Sequence, residues 1–296
     1  MKKKLLVFGI NSFLGKNIVN CLSASYDICG TYFKSKPNFE SHKKIKLLKF
    51  DLTKKECFKN IFLKKYKPNL IINCAGESNV NICDKDRTKC KKKIFSITKN
   101  TSDFAKKIKV YYVTISTDIL FKNKNNRLCS ERDKPNPYNY YGKIKLATEN
   151  YVKKTNKNSL IIRTRFFGLY SKNNFFTDIL SLKNKKKLIC YNNIYSTPIY
   201  VNDLIKAIVL SYYKRVNGII NITGDETISR YKFATLVAKA FKINNKYLNN
   251  KTYKLDKNSD KNIFSSSLSN KKIKKKININ FKKLSSAIRE IKNNLR

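Results

Sequence analysis

The fold is decided by the segment Leu5-Leu6-Val7-Phe8-Gly9-Ile10-Asn11-Ser12-Phe13-Leu14-Gly15. A short apolar run ends at Gly9, and from Leu14 to Leu22 apolar residues recur at helical spacing. Glycines at both ends of the turn allow the backbone to approach a ligand closely and the helix to pack against the strand. Free N–H groups at a helix N-terminus attract phosphate. The segment therefore predicts a strand–turn–helix unit that binds a dinucleotide through its diphosphate.

Five residues of this turn are predicted cofactor contacts: Gly9, Ser12, Phe13, Leu14 and Gly15. Glycine often stands where this chain has Ser12, which offers a hydroxyl donor but restricts the backbone. Two glycines in seven residues also occur in plain structural turns. Their position after the first strand and before the first helix favours the dinucleotide site.

Apolar runs and amphipathic segments alternate through the first half of the 296-residue chain. This alternation predicts an α/β fold, a Rossmann-type doubly wound parallel sheet with helices on both faces. The predicted strands of this sheet are Leu5–Gly9, Ile28–Tyr32, Lys46–Leu52, Leu70–Gly76, Val110–Ser116 and Leu160–Phe166. Thr53 is predicted to open a helix with a capping box that ends at Glu56.

The second half is less regular, and its predicted elements are helices at Asn202–Tyr213, Arg230–Phe241 and Lys282–Lys292 and a strand at Ile219–Thr223. Ser229 is a suitable N-cap for the middle helix. We expect a dinucleotide-binding Rossmann domain at 1–165, to which about 195–215 also contribute. A smaller α/β substrate-binding part is expected at 166–296.

The formal net charge is +46, which invites a nucleic-acid or membrane hypothesis. Lysines outnumber arginines 56 to 9 and are spread along the whole chain, whereas phosphate-reading surfaces often use arginine. Asn, Ile, Phe and Tyr are also abundant, which indicates drift towards AT-rich codons. We therefore expect no specific nucleic-acid partner. No apolar run approaches the roughly 18 residues of a membrane span, so no membrane partner is expected either.

The eight cysteines contain no C-x-x-C pair, and the only histidine is His42. A Cys/His metal site is therefore not predicted, and His42 is expected at the surface. Several cysteines lie inside apolar runs, where a reduced thiol behaves as a small buried hydrophobe. A reducing compartment is the simplest interpretation, and because the apolar start is too short for a signal peptide, we expect a cytoplasmic protein.

The second predicted strand ends near Gly30, where an acidic residue would hydrogen-bond the ribose of NAD. Lys34 follows instead, and an ammonium suits the 2′-phosphate of NADPH. Because lysine is so common here, the predicted cofactor is NADPH or NADH. Asp51 ends the third predicted strand and could reach the adenine; its alternative role is that of a carboxylate at a helix N-terminus.

The catalytic candidates begin where the fifth predicted strand ends in adjacent hydroxyls, Ser116 and Thr117. Tyr141 and Lys145 follow, four residues apart, so on a helix they share one face. A nearby ammonium favours the phenolate and lowers the pKa of a tyrosine from about 10 towards neutrality. Such a phenol can protonate a carbonyl oxygen while hydride arrives at carbon. This pattern predicts reduction of a ketone with a nicotinamide cofactor.

The Tyr-x-x-x-Lys spacing is not specific by itself, because Tyr32/Lys36, Tyr247/Lys251 and Tyr253/Lys257 also match it. Only Tyr141 and Lys145 follow a strand-end hydroxyl pair within a glycine-turn nucleotide unit. The alternative is an ordinary surface pair on a helix.

With these motifs in order, the chain resembles the extended short-chain dehydrogenase/reductases, and within them the dTDP-4-dehydrorhamnose reductase family. The resemblance covers nearly the whole chain. The segments that carry it are Gly9–Gly15, Phe50–Thr53, Pro68–Ala75, Ile115–Phe121, Tyr141–Glu149, Ile162–Thr164, Thr197–Leu204 and Gly218–Gly224. The Ser-Thr-Asp and Tyr-Gly-x-x-Lys-Leu motifs are the most specific.

The resemblance implies a catalytic triad of Thr117, Tyr141 and Lys145, in which Lys145 also bonds the nicotinamide ribose. It places Leu52, Cys74, Ala75 and Gly76 at the cofactor, and Ile119, Phe166 and Thr117 at the sugar. The family reduces the 4-keto group of a nucleotide-linked 6-deoxyhexose for cell-surface polysaccharide. The implied partner is therefore a nucleotide-sugar substrate, and a homodimer is left open.

The chain also departs from the family pattern. Phe166 stands where the rhamnose enzymes commonly carry Trp, and the helix near Ile97 lacks the usual Asn, with Asn100 out of register. Other nucleotide-sugar epimerases and dehydratases, or a non-catalytic dinucleotide-binding regulatory subunit, remain alternatives. Asp118 does not decide between reductase and dehydratase, because both carry an acidic residue next to the strand-five Thr.

Overall fold

The computed structural model describes residues 2–39, 45–122, 127–170, 174–184, 187–255 and 262–295. His42 lies outside these residues, so its expected surface position stays a prediction.

Thirteen strands occur in the described part of the chain. They are β1 (Lys3–Phe8), β2 (Tyr26–Tyr32), β3 (Lys46–Lys49), β4 (Leu70–Asn73), β5 (Tyr111–Ile115), β6 (Ser159–Arg163), β7 (Phe166–Phe167), β8 (Leu188–Tyr191), β9 (Tyr195–Ser196), β10 (Ile199–Tyr200), β11 (Gly218–Asn221), β12 (Ile228–Ser229) and β13 (Leu248–Lys251).

The α-helices of the described residues are α1 (Phe13–Leu22), α2 (Ile61–Tyr66), α3 (Val80–Lys85), α4 (Arg87–Lys91), α5 (Ile97–Lys107), α6 (Tyr140–Thr155), α7 (Phe175–Leu180), α8 (Val201–Tyr213), α9 (Arg230–Phe241), α10 (Lys271–Ile277) and α11 (Leu284–Asn293). Short 3₁₀ turns lie at Lys55–Lys59, Ser181–Asn184 and Asn245–Tyr247, and a π-helical turn at Lys92–Ser96 joins α4 to α5.

Seven of the described strands form one sheet in the order β11-β6-β5-β4-β1-β2-β3, and β1 to β6 pair in parallel. From β1 to β3 the strands extend the sheet in one direction. The chain then returns to β1, and β4, β5 and β6 extend the sheet in the opposite direction. The order therefore reverses between β1 and β4, where α/β sheets bind ligands beyond the carboxyl ends of the strands. Leu5 to Phe8 are fully buried, as expected for a sheet covered on both faces. The predicted doubly wound Rossmann-type fold is confirmed.

All six predicted strands of the first half are present, with boundaries shifted by a few residues. The sixth ends at Arg163, and the expected extension to Phe166 is a separate strand, β7, that pairs with β10. The Ser229 cap is confirmed, because its side chain accepts the N–H of Lys232 at 3.2 Å.

The predicted capping box at Thr53 is wrong. The Thr53 hydroxyl instead donates to Asp51 Oδ1 at 2.7 Å, in a turn directly after β3. Lys54 takes the N-cap position of a 3₁₀ turn and makes no side-chain capping bond. The local Asp–Thr hydrogen bond therefore prevails over the capping pattern.

Contacts between residues divide the chain into two compact units. The first comprises Met1–Thr117, Asn139–Arg163 and Ile208–Ile220, and the second comprises Asp118–Tyr138, Thr164–Ala207 and Asn221–Arg296. The first unit contains β1 to β6 and the turns that follow β1 and β4. The sequence predicts that residues 1–165 bind the cofactor and that residues 166–296 mainly bind the substrate. These two binding roles stay predictions.

Two of the cysteines are paired. Cys83 of α3 and Cys90 of α4 form a disulfide, and both are fully buried. The expectation of reduced thiols is therefore wrong for Cys83 and Cys90. The sequence carries no local signal for this pair, because the two short helices that bring the cysteines together were not predicted. Among the described helices, none combines the length and hydropathy that crossing a membrane requires.

Helix α2 is attached to the sheet by a tyrosine. The Tyr66 hydroxyl donates to the carbonyl oxygens of Asp27 at 2.6 Å and Leu5 at 3.3 Å, and the side chain is buried. We expect Tyr66→Phe to lower the free energy of unfolding by about 1 kcal/mol, because two carbonyls lose a buried donor. Urea denaturation measures this, with the exposed Tyr170→Phe as a control. Equal stability of both variants would show that the hydroxyl contributes nothing.

Candidate active site

The turns after β1 and β4 meet at the point where the strand order reverses. Gly9 has φ +78°, and a Cβ there would lie 2.7 Å from the backbone of Ala75. The Cys74 N–H donates to the Phe8 carbonyl at 2.8 Å, and the Gly9 N–H donates to Thr31 Oγ1 at 3.2 Å. Only glycine fits position 9, because both its φ and its contact exclude a side chain.

Helix α1 begins at this turn, with Ser12 as its N-cap. Ser12 Oγ accepts the Gly15 N–H at 3.1 Å, and a Cβ at Gly15 would lie 2.5 Å from the Ile10 carbonyl oxygen. The capping bond explains how a serine is accommodated where glycine is often found. It uses an oxygen lone pair, so the hydroxyl proton stays available to a ligand. The ten-residue helix directs its partially positive N-terminus, with Phe13 and Leu14, towards the turn.

The loop after β2 is tied to the same turn, because Asn11 Nδ2 donates to the Ser35 carbonyl at 3.1 Å. Lys34 is exposed in this loop, beside the turn that the sequence assigns to the diphosphate. Asp51 Oδ1 accepts the backbone N–H of Thr53 at 3.0 Å as well as its hydroxyl. Asp51 therefore has a structural role in its turn. This role is close to the alternative considered from the sequence, a carboxylate at a helix N-terminus. Leu52, the next residue, is buried.

The turn after β4 carries small and neutral side chains. Cys74 and Ala75 are partly buried and Gly76 is exposed. Burial raises the pKa of the Cys74 thiol, which therefore stays protonated near neutral pH. The Ala75 N–H donates to Asn73 Oδ1 at 3.1 Å, which fixes the turn.

Helix α6 brings two of the catalytic candidates together at the end of β5. It begins after Asn139, whose Oδ1 accepts the Gly142 N–H at 2.8 Å. Lys145 Nζ lies 5.8 Å from the ring centre of Tyr141 and donates to the Ile115 carbonyl at 3.0 Å. Tyr141 is buried. The pair therefore shares one face of the helix, as the spacing predicts.

The two adjacent hydroxyls after β5 differ in their surroundings. Ser116 Oγ donates to Glu149 Oε1 at 2.5 Å and is buried in a network with Arg163. Thr117, the next residue, is also buried and ends the first unit. Ser116 is engaged by a carboxylate and is therefore a weak candidate for contact with a substrate, and the catalytic role of Thr117 stays a prediction.

The Lys145 ammonium has an unusual electrostatic environment. Desolvation lowers the pKa of Lys145 from its ordinary value of 10.5 to about 8, and the negative charge of Glu149 opposes this decrease. At neutral pH the side chain is therefore mainly protonated, but its charge is lost under mildly alkaline conditions.

Asn100 does not replace the family asparagine at this site. Its side-chain amide donates to the carbonyls of Leu52 at 3.1 Å and Thr53 at 3.2 Å, so it fixes the turn after β3. The position of Asn100 on α5 brings its side chain to this turn.

The second unit contains a cavity of about 270 Å³. Aromatic rings and two guanidinium groups form most of its wall: Phe166, Phe167, Phe175, Phe176, Phe233, Arg165 and Arg230. Asn174, Asp178 and Ser229 add polar atoms. Phe166, a predicted sugar contact, lies in this wall, whereas Ile119 does not belong to it.

The two arginines of this cavity were missed by the sequence analysis. Arg165 Nε donates to Asp118 Oδ2 at 2.6 Å, and the Ser266 hydroxyl donates to the same oxygen at 2.5 Å. Arg230 pairs with no carboxylate among the described residues; its guanidinium lies 5.9 Å from the ring centre of Phe175, and desolvation lowers its pKa. The rarity of arginine in this lysine-rich chain was the available signal.

No group of three or more His, Cys, Asp or Glu side chains in the described ranges could hold a metal ion.

The family model of the RmlD substrate binding domain matches residues 3–296. The spore coat polysaccharide biosynthesis protein SpsK of Bacillus subtilis is 30% identical over 58% of this chain and 61% of its own length. The dTDP-4-dehydrorhamnose reductase of Aggregatibacter actinomycetemcomitans is 25% identical over 79% and 78% of the two chains. Methionine adenosyltransferase 2 subunit beta of Xenopus tropicalis is 21% identical over 83% and 74%.

Among solved structures, dTDP-4-dehydrorhamnose reductase from Bacillus anthracis, in complex with NADP, superposes with a TM-score of 0.82 over 100% of both chains at 19% identity. At this identity the likeness shows the fold. The match to SpsK spans less than two thirds of that relative, so similarity to it does not by itself transfer an activity to this chain.

We expect the Lys145 amine to titrate with a midpoint near pH 8, because burial disfavours its charged form. A small acylating reagent, which attacks only the neutral amine, followed by peptide mass spectrometry, measures the midpoint. Exposed Lys143 on the same helix serves as an internal reference for the reagent. A Lys145 midpoint above about pH 10, the ordinary range for lysine, would contradict the expected desolvation.

Proposed function

This chain belongs to the family of the RmlD substrate binding domain, and we propose that it is an NAD(P)H-dependent reductase of a nucleotide-linked 4-keto-6-deoxysugar. The family placement makes it one of the sugar-nucleotide reductases and epimerases. The observation that carries the finer proposal is the buried Tyr141 with the Lys145 ammonium beside it at the end of β5. We further propose that the product serves polysaccharide synthesis in the cytoplasm.

The first unit fits a dinucleotide. Position 9 admits only glycine, and the adjoining helix N-terminus and Ser12 hydroxyl offer donors for a diphosphate. Exposed Lys34 could pair with the 2′-phosphate that distinguishes NADPH from NADH. A nicotinamide held there would supply the hydride for reduction of a carbonyl carbon. NADP in the Bacillus anthracis structure is consistent with this assignment.

Tyr141 acts as the proton donor in this proposal. Its phenol delivers a proton to the carbonyl oxygen of the substrate as the oxygen gains negative charge. The Lys145 ammonium stabilises the phenolate that remains and hydrogen-bonds the ribose. In the same proposal Thr117, the buried residue two positions after β5, donates to the same substrate oxygen. The side chains thus stabilise charge where it develops during reduction.

The contacts of Asp118 favour a reductase over a dehydratase. A dehydratase needs an acidic proton donor next to the strand-five Thr. Here both carboxylate oxygens of Asp118 accept from Arg165, and one also accepts from Ser266. To donate a proton to a substrate, Asp118 would have to leave Arg165 and Ser266, so its contacts favour a reductase.

The cavity of the second unit supports a nucleotide-linked substrate. Its phenylalanine rings offer flat apolar surfaces for a base or sugar, and the Arg230 guanidinium, without a carboxylate partner among the described residues, suits a diphosphate. Its volume of about 270 Å³ suits part of a nucleotide sugar rather than the whole molecule.

The similarity to methionine adenosyltransferase 2 subunit beta favours a second candidate, a regulatory subunit that binds the dinucleotide without turnover. The presence of Thr117, Tyr141 and Lys145 together argues against it, because binding alone needs no proton donor.

The test is incubation with NADPH and a panel of nucleotide-4-keto-6-deoxysugars, followed by the fall in NADPH absorbance. We expect Tyr141→Phe to lower kcat about 10²- to 10⁴-fold, the usual contribution of a general acid, and to retain cofactor binding. The adjacent Tyr140→Phe is a matched control and should change kcat little. NADPH binding without oxidation by any sugar would favour the regulatory subunit, and full activity of Tyr141→Phe would exclude Tyr141 as the proton donor.

We expect Arg230→Gln to raise the KM for the nucleotide sugar about 10- to 100-fold, the effect of losing a hydrogen bond to a charged group. The KM for NADPH should stay unchanged. Arg230→Lys should recover only part of the affinity, because lysine keeps the charge but not the planar fork. Exposed Arg132→Gln is the matched control. An unchanged sugar KM in Arg230→Gln would remove this residue from substrate binding.

A further inference from the structure

A buried ion pair connects helix α6 to the ends of β5 and β6. Glu149 is buried, and its Oε2 accepts from Arg163 Nη2 at 2.7 Å and from Nε at 3.1 Å. Its Oε1 accepts from Arg163 Nε at 3.1 Å and from Ser116 Oγ at 2.5 Å. Both oxygens of the carboxylate are therefore engaged by donors from the two strands.

Stability alone does not explain why the chain keeps this pair. Burying two charges carries a large desolvation cost, and apolar residues of similar volume are often as stabilising. Buried ionic groups can instead fix one arrangement of neighbouring elements, because any shift leaves a charge uncompensated.

The pair lies one helical turn from Lys145. Residues 145 and 149 share a face of α6, and they contact consecutive residues of the β5 end, Ile115 and Ser116. The Ser116 N–H also donates to the Ile162 carbonyl at 2.7 Å, directly before Arg163. A slide or rotation of α6 that broke the Glu149 contacts would also move Lys145 away from the Ile115 carbonyl.

The charge of Glu149 acts on the same group. It opposes the desolvation that lowers the pKa of Lys145. Three charged groups on the other elements packed against α6 have partners of their own: Arg87 over the Tyr140 ring, Lys93 with Glu77, and Lys99 with Asp103 and Tyr151. Arg163, at the end of β6, neutralises part of the Glu149 charge.

We propose that Glu149, held by Arg163 and Ser116, is a positioning residue that keeps helix α6, and with it the Lys145 ammonium, in place at the end of β5. Glu149 contacts neither substrate nor cofactor in this proposal. The inference rests on the proposed reduction, because it assigns a cause to the placement of one of its catalytic residues.

Glu149→Gln keeps the size of the side chain and removes its charge. We expect the midpoint of Lys145 acylation to move down from about pH 8 by about one pH unit. The alkaline limb of the kcat/KM profile for NADPH-dependent reduction should move by the same amount, and kcat should fall about tenfold or more. Exposed Glu56→Gln is the matched control and should change neither.

Glu149→Asp separates charge from position. The carboxylate stays, so the acylation midpoint should return towards that of the wild type. The shorter side chain cannot make all of the contacts of Glu149, so kcat should remain reduced. A merely structural role would lower thermal stability in both variants and leave the acylation midpoint of Lys145 unchanged.

Ser116→Ala provides a milder variant if Glu149→Gln does not fold, because it removes one hydrogen bond and leaves both charges paired. We expect a several-fold loss of kcat with an unchanged KM for NADPH. The proposal would be overturned if Glu149→Gln folds and keeps the wild-type kcat and the wild-type acylation midpoint of Lys145. If Glu149→Gln does not fold, a folded Ser116→Ala with wild-type kcat would overturn it. If the wild type reduces no sugar of the panel, the proposed function fails, and acylation of Lys145 still tests the role of Glu149.

Discussion

The partly buried ammonium of Lys145 is the group on which the rest of the candidate site depends. An unpaired charge in a protein interior is costly, so the surroundings must compensate it. Here the compensation comes from the Ile115 carbonyl, at 3.0 Å, and from the charge of Glu149 one turn away. Both require α6 to lie in one register against β5, and this requirement links local helix packing to the chemistry.

The sheet topology supplies the other half of the site. Because the chain turns back between β1 and β4, the glycine turn after β1 and the turn after β4 come into contact. β5 pairs with β4, so its carboxyl end lies on the same edge of the sheet as these turns. The proposed dinucleotide site and the proposed proton donor at the start of α6 therefore both lie at the carboxyl ends of these strands.

The sequence predicts the parts of this arrangement that depend on local pattern. The six strands, the glycine turn and the shared face of Tyr141 and Lys145 follow from periods of two and 3.6 residues and from chain order. The partners of Ser116, Asp118 and Asn100 did not follow, because each is set by residues that are distant in sequence. The failure at Thr53 has a local cause, a hydrogen bond to Asp51 that competes with the cap. The Cys83–Cys90 pair likewise depends on how two short helices meet.

The few arginines of this lysine-rich chain occupy distinctive surroundings. If composition drifted towards lysine, an arginine persists where a compact ammonium cannot replace a planar fork of donors. Among the described residues, three arginines have such surroundings. Arg163 contacts both oxygens of Glu149, Arg165 contacts both oxygens of Asp118, and Arg230 lies at the aromatic cavity. The net charge of +46 is therefore a weaker guide to function than the surroundings of these three arginines.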